Sequence, residues 1–286
     1  MTCKEDFEKL PKNGVEGVIL LGGLLPANAE VNLDADENAA DYFEINTIGT
    51  INVLEYCRKN GIRRVISNCS YADVRGAWGK RPITEDEPRN FIFTGDHAVY
   101  VFSKNAANDV LEYYNQQHGM KNAWFRFPPV YGVGPHDSLF INGVLKKSGL
   151  KIFIDNAKEG KDICIYGDAQ LSRDVVYVKD VAHAYYLAMK SPNTCGLYNM
   201  TSGKGVTLQE QAEVISELWA PNPSKKSKII YKPEIKNNTP SYLFSMEKAK
   251  NDFGFVPEYS DFKTMMIDYK KDLDSNKFLE LFHYEK

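Results

Sequence analysis

The chain has 286 residues, 43% hydrophobic and 26% charged, which describes a soluble globular protein of one large or two modest domains. Its 35 basic and 38 acidic residues leave a net charge of −3, so charge supplies no basic sheath and no nucleic-acid partner is expected. No apolar run approaches the roughly 20 residues of a membrane span, so no membrane partner is expected either.

In chain order, Val15 to Leu21 is a short apolar run closed by Gly22 and Gly23, the pattern of a strand buried on both faces. Residues 41–60 read as helical, and after the break at Gly61 a second apolar segment covers residues 64–67. A long helix from His97 to about His118 sets Val99, Ser103, Ala106, Val110 and Tyr114 on one stripe, and residues 123–127 follow as a strand. Buried strands alternating with helices predict right-handed crossovers, hence a doubly wound parallel α/β sheet. After Pro135 the pattern loosens into a smaller mixed lobe. It comprises a helix near 140–148, strands near 163–165 and 174–178, helices at 180–189 and 208–218, and a turn-rich loop at 220–228.

Five cysteines, Cys3, Cys57, Cys69, Cys164 and Cys195, are scattered without a CxxC pair or a histidine at metal-finger spacing. Neither a disulfide frame nor a metal site is expected, and with a charged, polar N-terminus the pattern points to the reducing cytoplasm.

Three Tyr-x-x-x-Lys pairs occur, Tyr100/Lys104, Tyr186/Lys190 and Tyr259/Lys263. Residues four apart share a helix face. Only the first pair opens a helix that follows a buried strand of the parallel sheet, where open α/β sheets place their ligand crevice.

Six collinear blocks carry a wider likeness: EINTIGTINVL (44–54), RRVIS (63–67), YVFSK (100–104), FRFPPVYGVGP (125–135), IYGDAQLSRDVVYVKDVA (165–182) and GLYNMTSG (196–203). Together they resemble the extended short-chain dehydrogenase/reductase family, the NAD-dependent epimerases and dehydratases that act mainly on nucleotide sugars. The resemblance implies a Rossmann-like fold, NAD or NADP as cofactor, a nucleotide-sugar substrate and a homodimer through the helices at 41–60 and 97–118.

By that resemblance Tyr100 is the catalytic acid/base, and Lys104 favours its phenolate and holds the nicotinamide ribose. The third catalytic hydroxyl is assigned to Ser70. With Gly76 set on the family's glycine that position falls one place further, on Tyr71, which is assigned to substrate contact. The cofactor side takes in Gly22, Gly23, Asn46, Ser67 and Pro129, the last standing where many relatives carry a substrate-contacting asparagine. Arg173 resembles the arginine that pairs with substrate phosphates, a task suited to a planar fork of donors. Tyr166 is expected against the nucleotide base, and Lys232 stands where an arginine is often found. No Thr-Asp-Glu triplet of the dehydratases is present, which favours epimerisation or simple redox over elimination.

One departure is large. None of the 20 glycines forms a GxGxxG or GxxGxxG turn leading from a strand into a helix, the turn whose amides cradle the cofactor pyrophosphate. Matched to the family, residue 15 opens about the fourth strand, so three strands are expected to be missing and NAD binding to be weak or absent. The expected division is an incomplete dinucleotide-binding domain (1–134 and 171–200) and a substrate-binding domain (135–170 and 201–286). Three readings stay open. The chain is a shortened epimerase or oxidoreductase, a non-catalytic binding or regulatory module, or a half-protein completed by a partner chain or its own dimer.

Overall fold

The computed structural model describes residues 1–26, 39–79, 81–95, 97–134, 137–141, 144–236, 241–276 and 278. A 3₁₀ segment at Lys4–Lys9 precedes β1 (Val18–Ile19). Then α1 (Ala39–Tyr42), a π-helical turn (Phe43–Ile48) and α2 (Gly49–Lys59) run on as one rod. β2 (Val65–Ser70) leads through a 3₁₀ segment at Tyr71–Ala77 to α3 (Ala98–His118) and β3 (Ala123–Phe127). Gly119 closes α3 at φ 61°, a left-handed conformation that suits glycine.

Next come β4 (Val130–Tyr131), β5 (Ser138–Ile141), β6 (Val144–Lys147), α4 (Gly149–Glu159), β7 (Ile163–Tyr166), β8 (Ser172–Asp174), β9 (Val176–Tyr177) and α5 (Val178–Lys190). The chain continues with β10 (Gly196–Asn199), β11 (Gly205–Thr207), α6 (Leu208–Trp219), β12 (Ile229–Lys232), α7 (Glu247–Phe253) and α8 (Phe262–Asp274).

The main sheet is parallel, in the order β1-β2-β3-β10, with Val18 opposite Val65, Ile66 opposite Ala123 and Tyr198 opposite Phe125. The doubly wound α/β expectation therefore holds. β2 and β3 are buried on both faces because helices cover each side. One face packs Leu54, Cys57 and Leu111 against Val65 and Trp124; the other packs Ala184, Tyr185 and Phe253 against Ile66, Phe125 and Tyr198. A second core of Ile163, Ala212, Ile215, Trp219, Phe262 and Met266 gathers α6 and α8 over β7. Each such side chain contributes about 1.5–3 kcal/mol by leaving water.

Three local expectations are corrected. β1 is not covered on both faces: Ile19 is 42% and Leu21 64% exposed, because β1 is the end strand of the sheet among the described residues. The expected helix at 140–148 is an antiparallel pair, β5 with β6; the helix starts only at Gly149, where the Ser148 hydroxyl accepts the Lys151 amide at 3.3 Å and caps it. On α3 Ser103 and Tyr114 of the expected stripe are buried, but Val99, Ala106 and Val110 are only partly covered, and the buried side also takes in Tyr100, Lys104, Ala107 and Leu111. The helix lies between β2 and the α1–α2 rod, so contacts from both sides select the stripe rather than apolar character alone.

Candidate functional site

A cavity of about 480 Å³ opens beside the carboxyl end of β2, the end at which open parallel sheets bind their ligands. Gly23, Asn46, Ser70, Tyr71, Tyr100, Lys104 and Pro129 all border it. Residues from five separate stretches of sequence thus converge on one chamber. Gly22 and Ser67 do not reach its wall: Gly22 lies under the Met1 side chain, and Ser67 is enclosed within β2. A second cavity of about 350 Å³ is bordered by Arg173, Tyr131, Lys151 and Gln211, and Pro129 borders both. Tyr166 and Lys232 sit opposite each other in the β7–β12 pair and border neither, Tyr166 being 46% exposed.

Tyr100 and Lys104 stand one turn apart on α3, 8% and 4% exposed. Neither side chain makes a hydrogen bond or ion pair among the described residues, and no carboxylate among them borders the chamber. Burial dominates both titrations. It holds the Tyr100 phenol above the ordinary tyrosine value and lowers the Lys104 ammonium to about 8. For the phenol, the neighbouring Cys69, Tyr42 and Tyr71 add to the effect of lost water in the same direction.

The π-helical turn positions Asn46, whose Nδ2 donates to the Leu24 carbonyl at 3.1 Å and to Ser103 Oγ at 2.9 Å, while its Oδ1 accepts the Leu24 amide at 2.7 Å. A Cβ on Gly23 would meet that Oδ1 at 3.0 Å, so the loop lies close only because residue 23 is glycine. Ser70 caps the following 3₁₀ segment by accepting the Ala72 amide at 3.2 Å, which leaves its own proton to donate elsewhere.

Sequence reasoning missed several neighbours. Tyr71 stacks on Trp78, with centroids 5.2 Å apart and planes 8° apart, and shares a hydrogen bond with Tyr242. Burial keeps its phenol neutral. Tyr242 is tied to β8, its carbonyl accepting the Asp174 amide at 3.0 Å and its amide donating to the Ser172 carbonyl at 3.3 Å. Asp174 is itself enclosed, and burial lifts its carboxyl to about 7 despite hydrogen bonds from Thr201 and the Phe244 amide. Beneath the chamber floor Arg126 on β3 and Asp73 form an ion pair at 2.9 Å, their side chains 1% and 3% exposed. An arginine inside an apolar strand needs a buried anion, and that was the available signal. Tyr242 offered none, since only the folded chain brings it to Tyr71.

The cofactor that this fold serves can be tested against these residues. At the nicotinamide end they fit: a buried ammonium with no anion beside it among the described residues, a phenol, and a glycine whose added Cβ would press on Asn46 face one chamber. No glycine-rich turn opens directly into a helix among the described residues. Nor is any helix among them long and apolar enough to cross a membrane, and no cluster of metal-ligating side chains is found among them.

A protein of Methanocaldococcus jannaschii is 31% identical over 188 residues, 65% of this chain and 57% of that relative. UDP-glucose 4-epimerase of Halalkalibacterium halodurans is 24% identical over 237 residues, 79% of this chain and 68% of its own length. The chain thus spans between a half and seven-tenths of these relatives. The crystal structure of UDP-glucose 4-epimerase with UDP-glucose from Thermotoga maritima superposes with a TM-score of 0.70 at 24% identity, over 95% of this chain and 82% of that one, a likeness of fold. Residues 1–200 match the model of the NAD dependent epimerase/dehydratase family, and with its sheet order and its Tyr100–Lys104 chamber the chain belongs to that family.

Proposed function

We propose that the chain acts on a nucleotide-activated sugar by epimerase-type or simple redox chemistry, with the sugar in the Tyr100 chamber and the diphosphate towards Arg173. The observation that carries the reading is the pairing of chambers. A phenol and an ammonium without hydrogen-bond partners among the described residues face one cavity, a guanidinium borders the next, and Pro129 stands between them. A neutral hydroxylated group suits the first, whose wall among the described residues holds no carboxylate, and an anion suits the second at its Arg173 and Lys151 side, away from Asp137, which also lines it.

In this reading Tyr100 moves a proton at a sugar hydroxyl, and its raised pKa makes it a neutral donor or acceptor rather than a standing phenolate. Ser70 donates its free proton to the same oxygen, Lys104 holds the ribose beside it, and Tyr71 closes the opposite wall. The nicotinamide cofactor that the family implies would take up and return a hydride when bound. Tyr100, Lys104 and Gly23 would border it, and whether it is NAD or NADP depends on residues outside this chamber.

The test is conversion of UDP-glucose to UDP-galactose by the wild-type chain and by Tyr100→Phe in the presence of NAD, with UDP-glucose binding followed by calorimetry. Binding retained with turnover reduced at least about 100-fold supports the reading, because a positioned acid/base contributes on that scale. Unchanged turnover removes Tyr100 from the mechanism. A wild-type chain that binds no UDP-sugar overturns the substrate class.

A further inference from the structure

Lys104 has a second chemical capacity that proton transfer and ribose binding do not use. Its side chain is 4% exposed yet borders a chamber of about 480 Å³, so its amine faces a space large enough for a small molecule while the rest of the residue is enclosed. It makes no hydrogen bond or ion pair among the described residues, and no carboxylate among them borders the chamber. Other lysines differ. Lys12 pairs with Glu8, Lys147 and Lys151 share Asp155, Lys179 lies between Asp268 and Asp272, and Lys263 meets Glu217. The other titratable side chains on the wall among the described residues are His97, the Cys69 thiol and the phenols of Tyr71, Tyr100 and Tyr185; burial raises the thiol, to about 12, and all three phenols, which keeps them neutral, and none of the set is a carboxylate.

An amine becomes a nucleophile only when it has lost its proton, and enclosure without a counter-ion favours that loss; lysines that form Schiff bases are made in this way. We propose that Lys104 is a site of covalent modification by small neutral hydroxyaldehydes, such as the open-chain form of a short sugar. The neutral Nζ attacks the aldehyde carbon and gives up its two protons as it forms a double bond to that carbon, while the carbonyl oxygen takes up two protons, breaks its bond to carbon and leaves as water. No oxidant or reductant is required for that step. The hydroxyl groups of such an aldehyde meet Ser70, Tyr71 and Tyr100 on the same wall.

The experiment treats the full chain with glyceraldehyde and sodium cyanoborohydride at pH 7.5 for a short, sub-stoichiometric exposure, then maps the reduced adducts by peptide mass spectrometry. Lys104 has lost its proton in a far larger fraction of molecules than an exposed lysine at this pH, so its occupancy should exceed the median lysine by about 10-fold or more even after allowing for slower entry to the chamber. The advantage should shrink as the pH is raised from 7.5 to 10, where surface amines also lose their protons. Cys69→Asp supplies a carboxylate beside the amine and should reduce labelling of Lys104 at least about 5-fold; Cys69→Ser, neutral and of similar size, should leave it unchanged and controls for damage to the fold. Labelling of Lys104 no greater than that of the exposed Lys4, or labelling indifferent to pH, overturns the proposal. Neither result depends on whether the chain turns over a nucleotide sugar.

Discussion

Asn46 and Leu24, 22 residues apart, exchange two hydrogen bonds: the Asn46 amide oxygen accepts from the Leu24 N–H at 2.7 Å and its nitrogen donates to the Leu24 carbonyl at 3.1 Å. A side-chain amide thereby replaces a strand partner for the loop that leaves β1. The same nitrogen reaches Ser103 Oγ, which itself donates to the Tyr100 carbonyl at 2.9 Å. Through Asn46 the loop, the π-helical turn and α3 share one polar joint, and three walls of the chamber are set by it.

Asn46→Leu should therefore cost about 2–4 kcal/mol, because the Leu24 amide and carbonyl are left without partners in a largely enclosed place. Gly23→Ala presses a methyl against the same clamped oxygen and should cost about 1 kcal/mol. Urea unfolding measures both; a loss below about 0.5 kcal/mol for Asn46→Leu would show that the joint is ornamental.

Lys104 predicts a pH dependence with a definite sign. Its folded pKa of about 8 lies below the ordinary 10.5, so the unfolded chain holds the proton more tightly. Stability linked to this group is complete above 10.5 and is lost as the pH falls towards 8, below which the loss is constant. Lys104→Met removes the loss. It should be more stable than wild type by up to about 3 kcal/mol at pH 7, with the difference closing as the pH approaches 10.5. A difference of equal size at both pH values would mean that packing, and not the charge, decides it.

The buried pair Arg126–Asp73 should behave as a unit. Burial still raises the Asp73 carboxyl despite the adjacent guanidinium, so the pair as a whole recovers little of what its dehydration costs. Arg126→Met alone strands a carboxylate and loses the Asn199 contact at 3.1 Å; the expected cost is about 3–5 kcal/mol. The double variant Asp73→Leu/Arg126→Met should recover at least about half of it. Additive losses in the cycle would refute the coupling.

How much of this was legible beforehand follows the range of each interaction. The strands at β2 and β3 and the helix bearing Tyr100 and Lys104 could be read in advance, because apolar runs and a four-residue spacing are local facts of the chain. The β5–β6 pair was misread as a helix because a short mixed segment has no strong period of its own, and its partner strand decides its state. Asn46 was recognised as a residue near the site but not as the clamp on Leu24, since that contact exists only after the loop has folded back.

By itself the sequence determined the family and the parallel sheet, and it singled out Tyr100, Lys104 and Arg173 as candidates, because these rest on periodicity and on motifs a few residues long. Only the tertiary structure decided that Tyr71 packs with Trp78 and Tyr242, that Arg173 borders a second chamber joined at Pro129, and that Tyr166 and Lys232 lie outside both. It also decided how far the pair is shut away from water. A phenol and an amine one helical turn apart announce their chemistry in the sequence, but the water removed from around them, which moves their pKa values in opposite directions, depends on everything that folds over them.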